Sequence, residues 1–290
     1  MGSADGQVLR ITKTVDNGPD SKRFNLVLVA EGYQQKEIPA FQNRVARFTN
    51  HLLTTKPFDT FKYAINVYRI DVASTDSGAD DPRACGGSGV VCDTYFDASF
   101  CNQNIRRFMS VNESLVRSEV EANILDWRQI VVIVNSSRVG GYGGGIAVTT
   151  TSSGWENIAL HEIGHSAFRL ADEYDYWAGP NSDGNRRNQY VGAEPVEPNV
   201  TMNTKWHSIK WGSLIVAGTP IPTTTNPDCS KCDSQGSPVT VGTVGAFEGA
   251  YNYHCLVYRP DHDCKMRNVT RPFCAVCQDC IRKELQVFPP

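Results

Sequence analysis

Residues 161–165 read His161-Glu162-Ile163-Gly164-His165, which places two imidazoles and a carboxylate on little more than one turn of a helix. Side chains four residues apart share a helical face. Two imidazoles at that spacing can grip one zinc ion, and the intervening glutamate can take a proton from a water on the metal's open position. This is the equipment for hydrolysing a peptide bond, with His161 and His165 as metal ligands and Glu162 as general base. A pair of ordinary core histidines is the competing reading. It fits less well, because the segment runs on into the carboxylates Asp172, Glu173 and Asp175 rather than into an apolar stretch.

A catalytic zinc takes three protein ligands and keeps a fourth position open. In the pattern HExxHxxGxxH, a glycine turns the chain and the last histidine swings back to the metal. Here the glycine position holds Phe168 and the third-ligand position holds Ala171. Asp172 is therefore the expected third ligand, with Glu173 as the alternative, and Asp175 is expected to orient an imidazole from behind. If neither carboxylate ligates, His254 or His262 is the next candidate.

The histidines must sit on a helix for this to work. Ile158, Leu160, Ile163, Ala167 and Leu170 recur at mostly helical spacing, and Gly154 offers a start. Upstream, residues 24–30 and 64–72 read as strands, and 129–134 as a fully buried one. Residues 34–53 read as an amphipathic helix broken near Pro39, and 115–124 as a second helix. The pattern predicts an α/β lobe with helices packed on a twisted sheet. A glycine-rich loop, 138–145, then leads into 146–151, which is expected to be an edge strand just before the active-site helix. An extended substrate could pair with that edge at Gly145, Ile146, Ala147 and Val148; a solvated strand edge is the plainer reading.

The run HEIGHSAFRLADEYD resembles the zinc signature of the IgA-peptidase family of secreted metallopeptidases. Further pieces fit in the same order: KRFNLV at 22–27 with Glu31-Gly32-Tyr33, Asn135 before the glycine-rich loop, Asn199-Val200-Thr201, GAFEGA at 245–250, Tyr258-Arg259-Pro260, Cys264-Lys265-Met266-Arg267 and FCAVC at 273–277. The resemblance spans nearly the whole chain, and Phe168 departs from it, since the family usually carries a small residue there. It implies a zinc peptidase of metzincin-like α/β architecture and favours substrate binding at the edge strand. Cys264-Lys265-Met266-Arg267 resembles a Met-turn, which would put Met266 beneath the zinc histidines; a core methionine is the alternative. For the developing oxyanion, Tyr258 is the first candidate donor, with His254 and Tyr251 behind it.

The chain has 290 residues, 40% hydrophobic, enough to bury a substantial core in one two-lobed domain. The expected division is an upper α/β subdomain over 1–175 and a loop-rich, cysteine-tied lower subdomain over 176–290. A formal net charge of −3 gives no basic footprint for nucleic acid, and no apolar run is long enough to span a bilayer. The partner expected is a protein or peptide substrate. Residues 1–5 lack the charged and apolar regions of a leader, as expected of a chain starting after a removed one.

Ten cysteines suit a secreted protein held by disulfides. If all ten were paired, at least one bridge would join Cys85, Cys92 and Cys101 to the seven later ones. The competing reading is a structural zinc on Cys229, Cys232, Cys277 and Cys280. Four Asn-x-Ser/Thr sequons, at Asn112, Asn135, Asn199 and Asn268, also suit secretion. Asp76, Asp80 and Asp81 form an acidic loop that could take calcium, without EF-hand spacing. Two other functional classes compete with the zinc endopeptidase. One is a catalytically silent binding module on a peptidase fold, against which the intact Glu162 argues; the other is a structural-metal or redox protein built on the CxxC pairs.

Overall fold

The structure, a computed structural model, describes residues 3–176 and 188–290. The polar stretch 179–188 lies outside the described residues except for Asn188. The chain divides into two compact units, Met1–Ala167 with Glu284–Pro290, and Phe168–Lys283. The division thus falls before the expected boundary at 175, and the last residues of the chain return to the first unit.

The first unit is built on a six-stranded mixed sheet of order β1-β3-β2-β4-β6-β5. Its strands are β1 (Gly6–Val15), β2 (Phe24–Glu31), β3 (Ile65–Ser74), β4 (Trp127–Val134), β5 (Gly141–Gly143) and β6 (Ala147–Thr150). The four inner strands run parallel, and β1 and β5 lie antiparallel at the two edges. All eight residues of β2 and the last six of β4 are buried, as continuous apolar runs in a parallel sheet require. Helix α1 (Ile38–Thr54) packs on β2 and β3 through Ile38, Phe41, Val45, Phe48 and Leu52, one face at the 3.6-residue period. Pro39 does not break this helix. It occupies the first turn, where its missing N–H is no loss, and Gln34 and Glu37 form a capping box ahead of it. Asn112 caps α2 (Glu113–Glu121) by accepting the Leu115 N–H at 3.1 Å. Near the chain end, Phe288 meets Phe24 edge to face, with ring centroids 6.2 Å apart.

One expectation is overturned here. Strand β6, with Ala147 and Val148, is not an edge, because it pairs with β4 on one side and β5 on the other. Gly145 and Ile146 lie in the connection before it. The edge belongs to Gly141–Gly143, inside what reads in sequence as a flexible loop. The acidic loop also differs from a cation site: Asp81 accepts from Ser88 N–H and Oγ and pairs with Arg106 and Arg138, Asp80 accepts from Cys92 N–H, and Asp76 from Asp93 N–H. These carboxylates hold the loop together.

The second unit contains the hairpin β7 (Phe247–Ala250) and β8 (Tyr253–Arg259), helix α4 (Ala275–Leu285) up to Lys283, and long irregular segments. Residues 206–216 contribute two short 3-10 turns, Trp206–Ser208 and Gly212–Leu214. A small core gathers Ala171, Val200, Ala250 and Val257, with Tyr190, Tyr251 and Tyr253 packed against it. Cys229 is bridged to Cys255, and in the first unit Cys85 to Cys101. Cys92, Cys232, Cys264, Cys274 and Cys277 are in no disulfide, so full pairing does not hold, and the four-thiolate set of the two CxxC pairs is broken because Cys229 is bonded to Cys255. Asn199 is fully buried and donates to Ala171 C=O and the Glu173 carboxylate at 2.9 Å each, which removes its sequon from glycosylation in the folded state. Among the described residues no helix is long and apolar enough to cross a membrane.

Candidate active site

Helix α3 (Trp155–Phe168) follows β6 directly and carries His161, Glu162 and His165. Trp155, Ala159, Leu160 and Ile163 are buried along it, which fixes its rotation. His161 is buried and His165 half-buried, with rings 4.6 Å apart at an interplanar angle of 89°. Their Nε2 atoms lie 3.1 Å apart. Two nitrogens bound to one tetrahedral zinc at about 2.0–2.1 Å would stand about 3.3 Å from each other, so the pair is already spaced to share an ion.

Strand β5 lies against this face of α3, and its glycines are what allow the approach. A Cβ on Gly141 would fall 2.7 Å from Glu162 Oε1. One on Gly143 would fall 2.8 Å from both the His165 Cβ and the Glu162 carbonyl oxygen, and 2.9 Å from Glu162 Oε2. Both carboxylate oxygens of Glu162 are thus set against the edge strand. Pairing alternates along an antiparallel ladder. Thr150 N–H donates to Gly140 C=O and Gly144 N–H to Ile146 C=O, both at 3.1 Å, so Gly141 and Gly143 turn their peptide groups away from β6. Arg107 C=O takes the Gly141 N–H, which leaves Gly143 presenting a backbone donor and acceptor at the edge.

Beyond the helix, Arg169 adopts a left-handed φ of 55°. The chain therefore turns one residue later than the glycine of HExxHxxGxxH, whose position holds Phe168. Asp172 is half-buried, and its Oδ2 accepts from Tyr174 OH at 2.6 Å. Glu173 is fully buried, and its Oε1 accepts from Asn199 Nδ2 at 2.9 Å and lies 3.2 Å from Cys277 Sγ. Asp175 lies near Arg267, 3.6 Å away, and groups with Cys232 and His254. His262 Nε2 lies 3.3 Å from Gln235 C=O.

Met266 is fully buried in a tight turn in which Arg267 and Asn268 N–H both donate to Cys264 C=O. Its own carbonyl accepts the Glu173 N–H at 2.9 Å. Tyr258 is buried in the hairpin with its hydroxyl 3.4 Å from Glu248 Oε1, and burial, reinforced by that carboxylate, pushes the phenol up to about 12. Sequence reasoning missed Gly141 and Gly143 as site residues. The run of glycines ahead of the helix carries the signal, because a residue without a side chain permits close approach as well as turning.

A sheet-backed helix presenting two histidines at ligand spacing, with a glutamate between them facing an open strand edge, is the layout of a metallopeptidase. The family model for IgA Peptidase M64 matches residues 12–235 and 234–285, and the chain belongs to that family. It is accordingly a peptidase, a hydrolase acting on protein or peptide substrates, and the family suggests a metal cofactor. No curated protein matches the chain.

Proposed function

We propose that the chain is a zinc-dependent endopeptidase in which His161, His165 and Asp172 hold the ion and Glu162 is the general base. The 3.1 Å separation of the two Nε2 atoms carries this reading. Two nitrogens and a carboxylate oxygen are a donor set that zinc accepts with a position left open. Asp172 is preferred to Glu173 because Glu173 is fully buried and gathers with Cys264, Cys274 and Cys277, while Asp172 is only half-buried.

The zinc, when bound, polarises the scissile carbonyl and acidifies a water. Glu162 takes that water's proton on a carboxylate oxygen and delivers it to the departing amine. Gly143 lays the substrate backbone along β5 by accepting and donating one hydrogen bond, which orients the scissile bond without reading each side chain. Tyr258 is the proposed oxyanion donor, its phenol being protonated across the neutral range. Tyr258→Phe should then slow turnover on the order of 100-fold with zinc retained, and an unchanged rate would remove it from the mechanism. Passage through an oxidising compartment is supported by the two disulfides.

The ligand set is tested by Asp172→Ala, measured for zinc content after dialysis and for hydrolysis of a protein substrate. Loss of one zinc equivalent together with activity is expected, because two imidazoles alone bind far more weakly than three ligands. Full retention of both would place the third ligand elsewhere.

A further inference from the structure

Glu173, Cys264, Cys274 and Cys277 all lie in the second unit, and each offers one donor atom to a cluster in which the four atoms are within 4.8 Å of one another. All four side chains are buried, Glu173, Cys264 and Cys277 completely. We propose that these four residues form a closed Cys3Glu site for a structural zinc ion, sharing no residue with the histidine pair.

The sulfur geometry is that of co-ligands. Cys264 Sγ and Cys277 Sγ are 3.7 Å apart. The edge of a tetrahedron with zinc–sulfur bonds of about 2.3 Å is about 3.8 Å, whereas a disulfide would bring the sulfurs to about 2.05 Å. Three cysteines also cannot satisfy one another by pairing, since one is always left over. Backbone amides supply the donors that thiolates favour: Cys274 N–H points at Cys264 Sγ at 3.2 Å, and Cys277 N–H at Cys274 Sγ at 3.5 Å.

Glu173 provides the independent observation. Its Oε1 has partners, but its Oε2 is buried with none. A carboxylate oxygen left bare in a low-dielectric interior is costly, and a cation at the centre of the cluster removes that cost. Four protein ligands with no open position define a structural rather than a catalytic zinc site. Three thiolates and a carboxylate around a dication leave a negative balance, and two cationic side chains, Lys265 and Arg259, are buried in the same unit.

The site would join three stretches of the second unit. Glu173 comes from the segment after α3, Cys264 from the turn that holds Met266, and Cys274 and Cys277 from the start of α4. The hydrogen bond from Glu173 N–H to Met266 C=O already links the first two. In a unit with little regular structure, such a centre supplies the order that a large apolar core would otherwise give.

Cobalt(II) reports on thiolate ligation, because cobalt–sulfur bonds give an intense near-ultraviolet charge-transfer band that nitrogen and oxygen ligands do not. The full chain, stripped of metal under reducing conditions and reconstituted with cobalt(II), should show this band. His161→Ala should keep the band and one zinc equivalent, and Cys264→Ser combined with Cys277→Ser should lose the band. Absence of a thiolate band from the reconstituted wild-type chain would overturn the proposal. So would peptide mapping of the native wild-type protein that finds Cys264 disulfide-bonded to Cys274 or Cys277. Both deciding measurements use the unmutated chain, so they stand even if a cysteine variant does not fold.

Discussion

Gly143 acts on the candidate site through the side chain it lacks. Its Cβ position is crowded by His165, by the Glu162 carbonyl and by Glu162 Oε2, all within 2.9 Å. Gly143→Ala must therefore push β5 away from α3 or displace the Glu162 carboxylate. The expected outcome is a fold that persists at a cost of about 1–3 kcal/mol, and a kcat/KM reduced about 100-fold, as befits an angstrom-scale misplacement of a catalytic group. Denaturant unfolding and steady-state kinetics on the same variant check both parts; wild-type kinetics would show that Glu162 does not depend on this contact. The helix that carries His161, Glu162 and His165 was legible in the sequence, because the apolar residues around them recur at helical spacing. Asp172 was legible only as one of two adjacent carboxylates. The left-handed turn at Arg169 ahead of them leaves no mark in composition.

Strands β2, β3 and β4 and helix α1 were readable because continuous apolar runs and a 3.6-residue stripe each have a single physical explanation. Strand β6 was found but misplaced, since only the pairing partners reveal whether a strand is internal. The partner β5 is three residues of glycine and tyrosine with no propensity signal. Strand β2 also carries a buried carboxylate with consequences for pH. Glu31 sits at the end of β2 and holds the segment 94–98, accepting from Thr94 Oγ1 at 2.6 Å, Ala98 N–H at 3.0 Å and Phe96 N–H at 3.1 Å. Burial raises it from 4.5 to about 7 despite these donors. The folded state therefore holds a proton between pH 4.5 and 7 that the unfolded chain has released, and stability from this group is complete below 4.5 and lost as pH rises towards 7. The contribution is about 3 kcal/mol at most. The stability difference between wild type and Glu31→Gln, measured by urea unfolding from pH 4.5 to 7.5, should change by that order across the window and flatten above it. A difference independent of pH would mean that Glu31 is ionised throughout.

At the scale of the whole molecule, the sequence indicated two parts and a peptidase, and the family match supports the second. The boundary was less legible. It falls at the end of α3, and the chain's last residues rejoin the first unit, a long-range return that no local pattern encodes. The cysteines were the least legible feature, because spacing alone cannot tell Cys229, which bonds Cys255, from Cys277, which gathers with Cys264 and Cys274. The central claim is that a metal held by the α3 histidines works with Glu162 as base. It is tested most directly by Glu162→Gln, which keeps the shape of the side chain and removes its basicity. Zinc content should match the wild type, while peptide hydrolysis falls by about 100- to 10,000-fold. Hydrolysis within a few-fold of wild type, at equal zinc content, would contradict the account.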